Sequence, residues 1–196
     1  MCSPERRADV ALPRGFVTEA QRIAVEERRD LGLRPNDPLD PWELADLHGV
    51  RVVDITSLKA SAEVTFFTQT SPAAFSGAIL PRGHGVVIVE NGSHAHTRRI
   101  ATLAHEMAHV LLEHSFHGSL TDLDCAGTTG PLEEQAERLA SELLVPRSAA
   151  LSYARNDMSD ADVAQHLGIS EAKARQSMNL SGARRQVERE RAKRRW

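Results

Sequence analysis

The stretch "HEMAH", residues 105–109, constrains this chain more than any other, because it sets two histidines four residues apart inside a long helical pattern. From about Ser93 to His114 apolar residues recur at helical spacing, and Ile100, Leu103, Ala104, Met107, Val110 and Leu111 form one face. His105 and His109 fall on the opposite side, which predicts that they point away from the core. Histidines at i and i+4 present two imidazoles to the same point in space, as a metal site on a rigid helix requires. Glu106 sits about 100° around from His105. It is close enough to take a proton from a water at the metal and poorly placed to bind the ion itself.

A catalytic zinc needs a third protein ligand and an open fourth position. The extended form HExxHxxGxxH is closed to this chain, since Leu112 and Ser115 stand where it needs Gly and His. His114 lies about 140° around the helix from His109 and reads, with His117, as a helix-terminal or loop residue. The remaining source is "PLEEQAERLASELLVP", a second helix from Pro131 to about Val145 with a core face of Leu132, Ala136, Leu139, Ala140 and Leu143. Glu133 and Glu137 stack one turn apart on its core margin while Glu134 points to solvent. Either of the two is the third ligand, and the other accepts a hydrogen bond from the far nitrogen of a ligand histidine.

The only cysteines are Cys2 and Cys125, too few for a disulfide framework or an all-cysteine zinc site, so histidines and carboxylates must hold any Zn2+. Cys125, between the two helices, reads as an idle thiol. "MCSPERRADV" is charged and lacks the apolar stretch of a secretory signal, and no run approaches the length that spans a bilayer. A cytoplasmic protein with no membrane contact is expected.

An α+β domain with a small antiparallel sheet packed on the HExxH helix follows from the rest of the chain. Residues 16–31 read as an amphipathic helix. In "DPWELADLHGVRVVDI" Asp40 is an N-cap, Pro41 a first helical residue, Gly49 a stop and Val50 to Ile55 a strand. "AFSGAIL" (74–80) and "GVVIVEN" (85–91) read as a hairpin joined by "PRGH". In "SHAH" His94 and His96 mark the entrance to the long helix. Tyr153, the only tyrosine, reads as structural rather than as an oxyanion donor.

Residues 159–182 read as a helix-turn-helix-like helical pair about "LGIS", with Ser159 and Ser170 as N-caps and Lys173, Arg175 and Gln176 facing outward on the second helix. DNA contact there is possible but is the less favoured reading. A basic tail, 183–196, carries seven Lys/Arg against two Glu, so its +5 leaves −8 on residues 1–182 from a total of −3. The organisation expected is an N-terminal tail (1–13), a main domain (14–158), the helical pair packed on or continuous with it (159–182), and the tail, read as solvated and partly helical.

With "RRIATLAHEMAHVLLEH", "EEQAERLASELLVP", "DPWELADLHGVRVVDI" and "VAQHLGIS", the chain resembles the ImmA/IrrE family of zinc metallopeptidases from about Asp40 to Gly182. Gln135, Glu137 and Leu139 depart from that family's third-ligand helix at the positions of its second Glu, Asn and Phe. The first Glu is kept as Glu133, which favours it as ligand. The resemblance implies a zincin-like (gluzincin) fold, with His105, His109 and Glu133 on zinc and Glu106 catalytic. It also implies cleavage of a helix-turn-helix transcriptional repressor, which relieves repression of a mobile element, prophage or stress-response genes. The alternative is a non-catalytic DNA-binding or repressor-binding regulator, or a toxin-antitoxin component, with a structural or inactive metal site.

Overall fold

The Asp-Pro start read in the sequence forms as expected: the Asp40 carboxylate accepts from Trp42 N–H at 2.8 Å and Pro41 opens helix α2 (Pro41–Leu47), which closes at Gly49 with φ +64°. In the computed structural model residues 12–83, 85–114 and 130–194 are described. The readings placed on residues 1–11, His117 and Cys125 lie outside them. Helix α1 (Phe16–Asp30) buries Phe16, Ala20 and Ala24. It also buries Arg28, whose guanidinium donates to the carbonyl of Leu143 at 2.8 Å and so ties α1 to a distant helix end.

Strand β1 (Arg51–Asp54) leads into residues 56–73, to which the sequence pattern assigns no element. With Ile55 and Ala74, which the sequence pattern reads as strand ends, they form a short 3₁₀ turn (Ile55–Ser57), helix α3 (Ala62–Thr65) continuing into a π turn (Phe66–Thr70), and a second 3₁₀ turn (Pro72–Ala74). Buried Asn91 pins this segment by donating to the carbonyls of Phe67 (2.8 Å) and Phe75 (3.0 Å). Strands β2 (Gly77–Arg82) and β3 (Gly85–Glu90) form the expected hairpin, although β2 starts later than read and runs through Pro81. Proline is tolerated there because β2 lies at a sheet edge, where a missing N–H costs no ladder bond.

The expectation of an antiparallel sheet needs correction. The strand order is β1-β3-β2, β2 pairs antiparallel with β3, and β1 pairs parallel with β3, so the sheet is mixed. A parallel neighbour needs a crossover of a dozen or more residues, and the irregular helical segment after β1 supplies that length. Because that segment carries no clean period, the sequence offers no sign that β1 returns to the far side of β3.

Helix α4 (His96–Leu111) packs on strands β2 and β3, and its Ile100, Leu103, Ala104 and Met107 are buried in the core. Helix α5 (Gly130–Leu144) lies against α4, α1 and a later helix, α8 (Glu171–Ser181), together. Ala136, Leu139, Ala140 and Leu143 are fully buried as expected, but Arg138, Ser141, Glu142 and Leu144 are buried too. The buried surface of this helix is therefore wider than the core face read from its periodicity. Arg138 pairs with Glu142 on the same helix at 3.0 Å.

Helix α6 (Arg147–Arg155) follows, then α7 (Asp160–Leu167) and α8 (Glu171–Ser181), joined at Gly168 and capped by Ser159 and Ser170 as read. Residues 183–194 are more ordered than a solvated tail: α9 (Ala183–Lys193) buries Ala183 and Val187 and packs on α6. Among the described residues no helix is long and apolar enough to cross a membrane.

Leu103 joins α4 to the core and is fully buried. Leu103→Ala is expected to cost about 2–5 kcal/mol, seen as a lower urea midpoint with an unchanged slope.

Candidate metal centre

Where α4 meets α5, three side chains converge. His105 Nε2 lies 3.2 Å from a Glu133 oxygen and 3.2 Å from His109 Nε2, and His109 Nε2 lies 3.3 Å from the other Glu133 oxygen. The helical spacing of the histidines sets the first pair, and the α4–α5 packing brings the carboxylate to both. The histidines do not point away from the core as the helical wheel suggests: His109 is buried and His105 half-buried, because α5 packs against α4 where they stand. Among the described residues, His105, His109 and Glu133 are the group of His, Cys, Asp or Glu side chains with the composition and spacing to hold a metal ion.

Local electrostatics suit a cation. Hydrogen bonds with His105 and His109 hold the Glu133 carboxyl well below the usual carboxylate range. Burial disfavours charge on His105, but Glu133, Glu106 and Glu137 outweigh it and raise its pKa. Burial pushes the Glu106 carboxyl up, despite the neighbouring imidazoles. The first residue of β2 comes close here, since a Cβ on Gly77 would lie 2.7 Å from Thr102 Cγ2 and 3.3 Å from Glu106 Oε1.

Glu137 lies on the other side of His105, its Oε2 3.8 Å from Nδ1 rather than near the two Nε2 atoms. The two carboxylates left open by the helical wheel thus have different neighbours: Glu133 meets the convergent nitrogens and Glu137 the outer one.

A family model described as the IrrE N-terminal-like domain, Peptidase_M78, matches residues 45–179. The chain belongs to this peptidase family. No curated protein and no solved structure matches it. The Peptidase_M78 match begins in α2 and ends within α8, so it takes in the sheet, both site helices and most of the C-terminal helical pair.

One residue near the centre of this peptidase domain escapes the sequence reading. Helix α4 ends in a reverse turn: Glu113 has φ +52°, its N–H bonds the carbonyl of Val110, and the N–H of His114 bonds that of His109. This is the paired pattern that glycine usually closes. The 140° separation predicted for His114 assumes a continuing helix. The turn instead folds His114 back, buried, with Nδ1 2.8 Å from Nδ1 of His109. A glutamate at the left-handed position gives no signal of such a turn. Burial and then the charge of His109 push His114 below its ordinary pKa, against a hydrogen bond with Gln135. With His114 as acceptor and Nδ1 of His109 as donor, the lone pair of His109 Nε2 would face a metal.

The remaining readings are settled by contacts. His96 starts α4 and stacks on Trp42 with centroids 5.6 Å apart, and His94 Nε2 bonds the carbonyl of Pro72 at 2.9 Å. Tyr153 is buried and donates to Asn36 O at 3.4 Å, a structural role. Of the side chains expected to face outward on α8, Arg175 and Gln176 are exposed, Arg175 paired with Asp160 and Glu171, whereas Lys173 is buried, so the reading is corrected at Lys173.

Two outcomes follow. His114→Phe, which keeps the volume and removes the acceptor, is expected to weaken metal affinity about 10–100-fold in a chelator competition. Because the pKa of His105 is raised, metal must displace its proton, so binding releases protons and strengthens as pH rises. Calorimetric titration in buffers of different ionisation enthalpy measures that release.

Proposed function

We propose that this chain is a zinc-dependent endopeptidase of zincin-like fold that cleaves a helix-turn-helix transcriptional repressor, relieving repression of a mobile element, prophage or stress-response genes. The observation that carries the reading is the spacing of the three donors beside Glu106. Ligands about 2.0–2.1 Å from a tetrahedral zinc lie about 3.3–3.4 Å from one another, and the distances here are 3.2, 3.2 and 3.3 Å. His105, His109 and Glu133 would hold the ion, two neutral imidazoles and one carboxylate in the pattern of catalytic rather than structural zinc. The repressor as substrate rests on the resemblance to the ImmA/IrrE family.

A bound zinc ion supplies Lewis acidity, polarising the scissile carbonyl and making water acidic enough to lose a proton near neutral pH. Glu106 takes that proton and delivers it to the leaving amine, and its raised pKa suits a group that must both accept and return it. Among the described residues β2 has no strand on its outer side. Its start at Gly77 lies against Glu106, so an extended substrate pairing with this edge would run past the reacting groups. The close approach favours glycine, since a side chain would meet Thr102 and Glu106.

The second reading, a DNA-binding regulator acting through a helix-turn-helix-like α7–α8, is weakened by the burial of Lys173. The two separate in one experiment. Purified protein is incubated with candidate helix-turn-helix repressors, with and without chelator, next to Glu106→Gln. Chelator-sensitive cleavage, reduced about 10²–10⁴-fold in Glu106→Gln while its zinc content stays at the wild-type level, is expected. Stoichiometric binding without cleavage, or a fully active Glu106→Gln, overturns the peptidase mechanism.

A further inference from the structure

Helix α8 reaches the metal centre through one buried cation. Lys173 is 6% exposed and its Nζ donates to Glu137 Oε1 at 2.6 Å. Ser141 Oγ donates to the same oxygen at 3.2 Å, and Lys173 Nζ lies 3.4 Å from Ser141 Oγ. One carboxylate oxygen is thus held by an ammonium and a hydroxyl, and the other, Oε2, faces His105 Nδ1 at 3.8 Å. That spacing is longer than a hydrogen bond, and a small rotation of either side chain closes it.

We propose that Lys173 is a positioning residue of the metal site: it clamps Glu137 so that the free oxygen stays on the outer nitrogen of His105 and keeps Nε2 aimed at His109 and Glu133. The inference rests on the zinc reading above and extends it to α8. An unclamped glutamate has several rotamers, and only some of them keep Oε2 beside Nδ1 of His105. With Lys173 in place, that carboxylate already has a cation on one oxygen and is restrained in orientation. The reach of α8 is set by the α5–α8 contact, where Arg138 also donates to the carbonyl of Leu180 at 2.7 Å. The C-terminal helical pair is therefore part of the metal centre's support, not a module attached beside it. A burial of this kind has a physical cost, because a lysine is rarely enclosed unless paired. The Glu137 partner explains the lysine, and the position of Glu137 beside a site histidine gives the pair a use beyond stability.

The test is a double-mutant cycle on the full chain with Lys173→Met, Glu137→Gln and the double variant. Zinc affinity is read by competition with a chromogenic chelator and site geometry by the visible spectrum of the cobalt-loaded protein. Each single change is expected to weaken zinc about tenfold or more and to shift the cobalt bands. The double variant should bind no more weakly than Glu137→Gln alone, because Lys173 acts through Glu137. A folded Lys173→Met with wild-type affinity and spectrum overturns the proposal, as does a double variant whose losses multiply. If Lys173→Met does not fold, the double variant, which leaves no unpaired buried charge, is compared with Glu137→Gln: equal affinity supports the proposal and a further loss overturns it. A wild-type chain that binds no zinc defeats the metallopeptidase reading itself, whereas zinc binding indifferent to Lys173 defeats only this inference.

Discussion

Two imidazole nitrogens and a carboxylate held within 3.3 Å of one another at the α4–α5 contact are the constraint on which the rest of the structure depends. Lone pairs aimed at one point repel unless a proton or a cation sits among them, so the chain must hold them there by packing. It does so with helices. Histidines four apart share a face of α4, and its buried apolar residues fix its rotation. Glu133 then needs only the correct placement of α5, whose position is set by burial against three neighbours at once.

That burial explains the unusual polarity of α5. A helix covered on most sides cannot leave charges to water, and its charged residues are paired where they are enclosed: Arg138 with Glu142, and Glu137 with Lys173. Burial raises the pKa of Glu142 in spite of Arg138, which marks how far the environment disfavours charge. Such pairs add little net stability over an apolar core. They do limit how α5 and α8 can rotate. The same helix carries Glu133 at its first turn, so restraint along α5 becomes restraint at the metal centre.

Reading the chain by local chemistry succeeds where local chemistry governs. Asp40, Pro41 and Gly49 bound one helix, and Ser159, Gly168 and Ser170 bound two others, because caps act within a turn of the residues that form them. The site residues on α4 are legible for the same reason, since i to i+4 geometry is independent of the surroundings. Glu133 and Glu137 are legible as a pair but not as individuals: a helical wheel places both on the core margin, and only the approach of α4 separates their roles. His114 is rightly read as helix-terminal, but its contact with His109 is missed because the wheel extends past a turn that glutamate closes. Lys173 is misread because a lysine at an outward-looking position gives no hint of a carboxylate on another helix.

By itself the sequence determined the helices that carry the site, the residues His105, Glu106 and His109 that α4 presents together, and a downstream helix with a carboxylate to offer. These follow from periodicity and capping, which act over a few residues. The tertiary structure decided the parallel placement of β1, the burial of His109, the contact of His114 with its outer nitrogen, and the tie from Lys173 to Glu137. Each of these joins segments across a turn, a crossover or a helix interface, and the forces that select them, burial and the pairing of enclosed charge, depend on what is packed alongside.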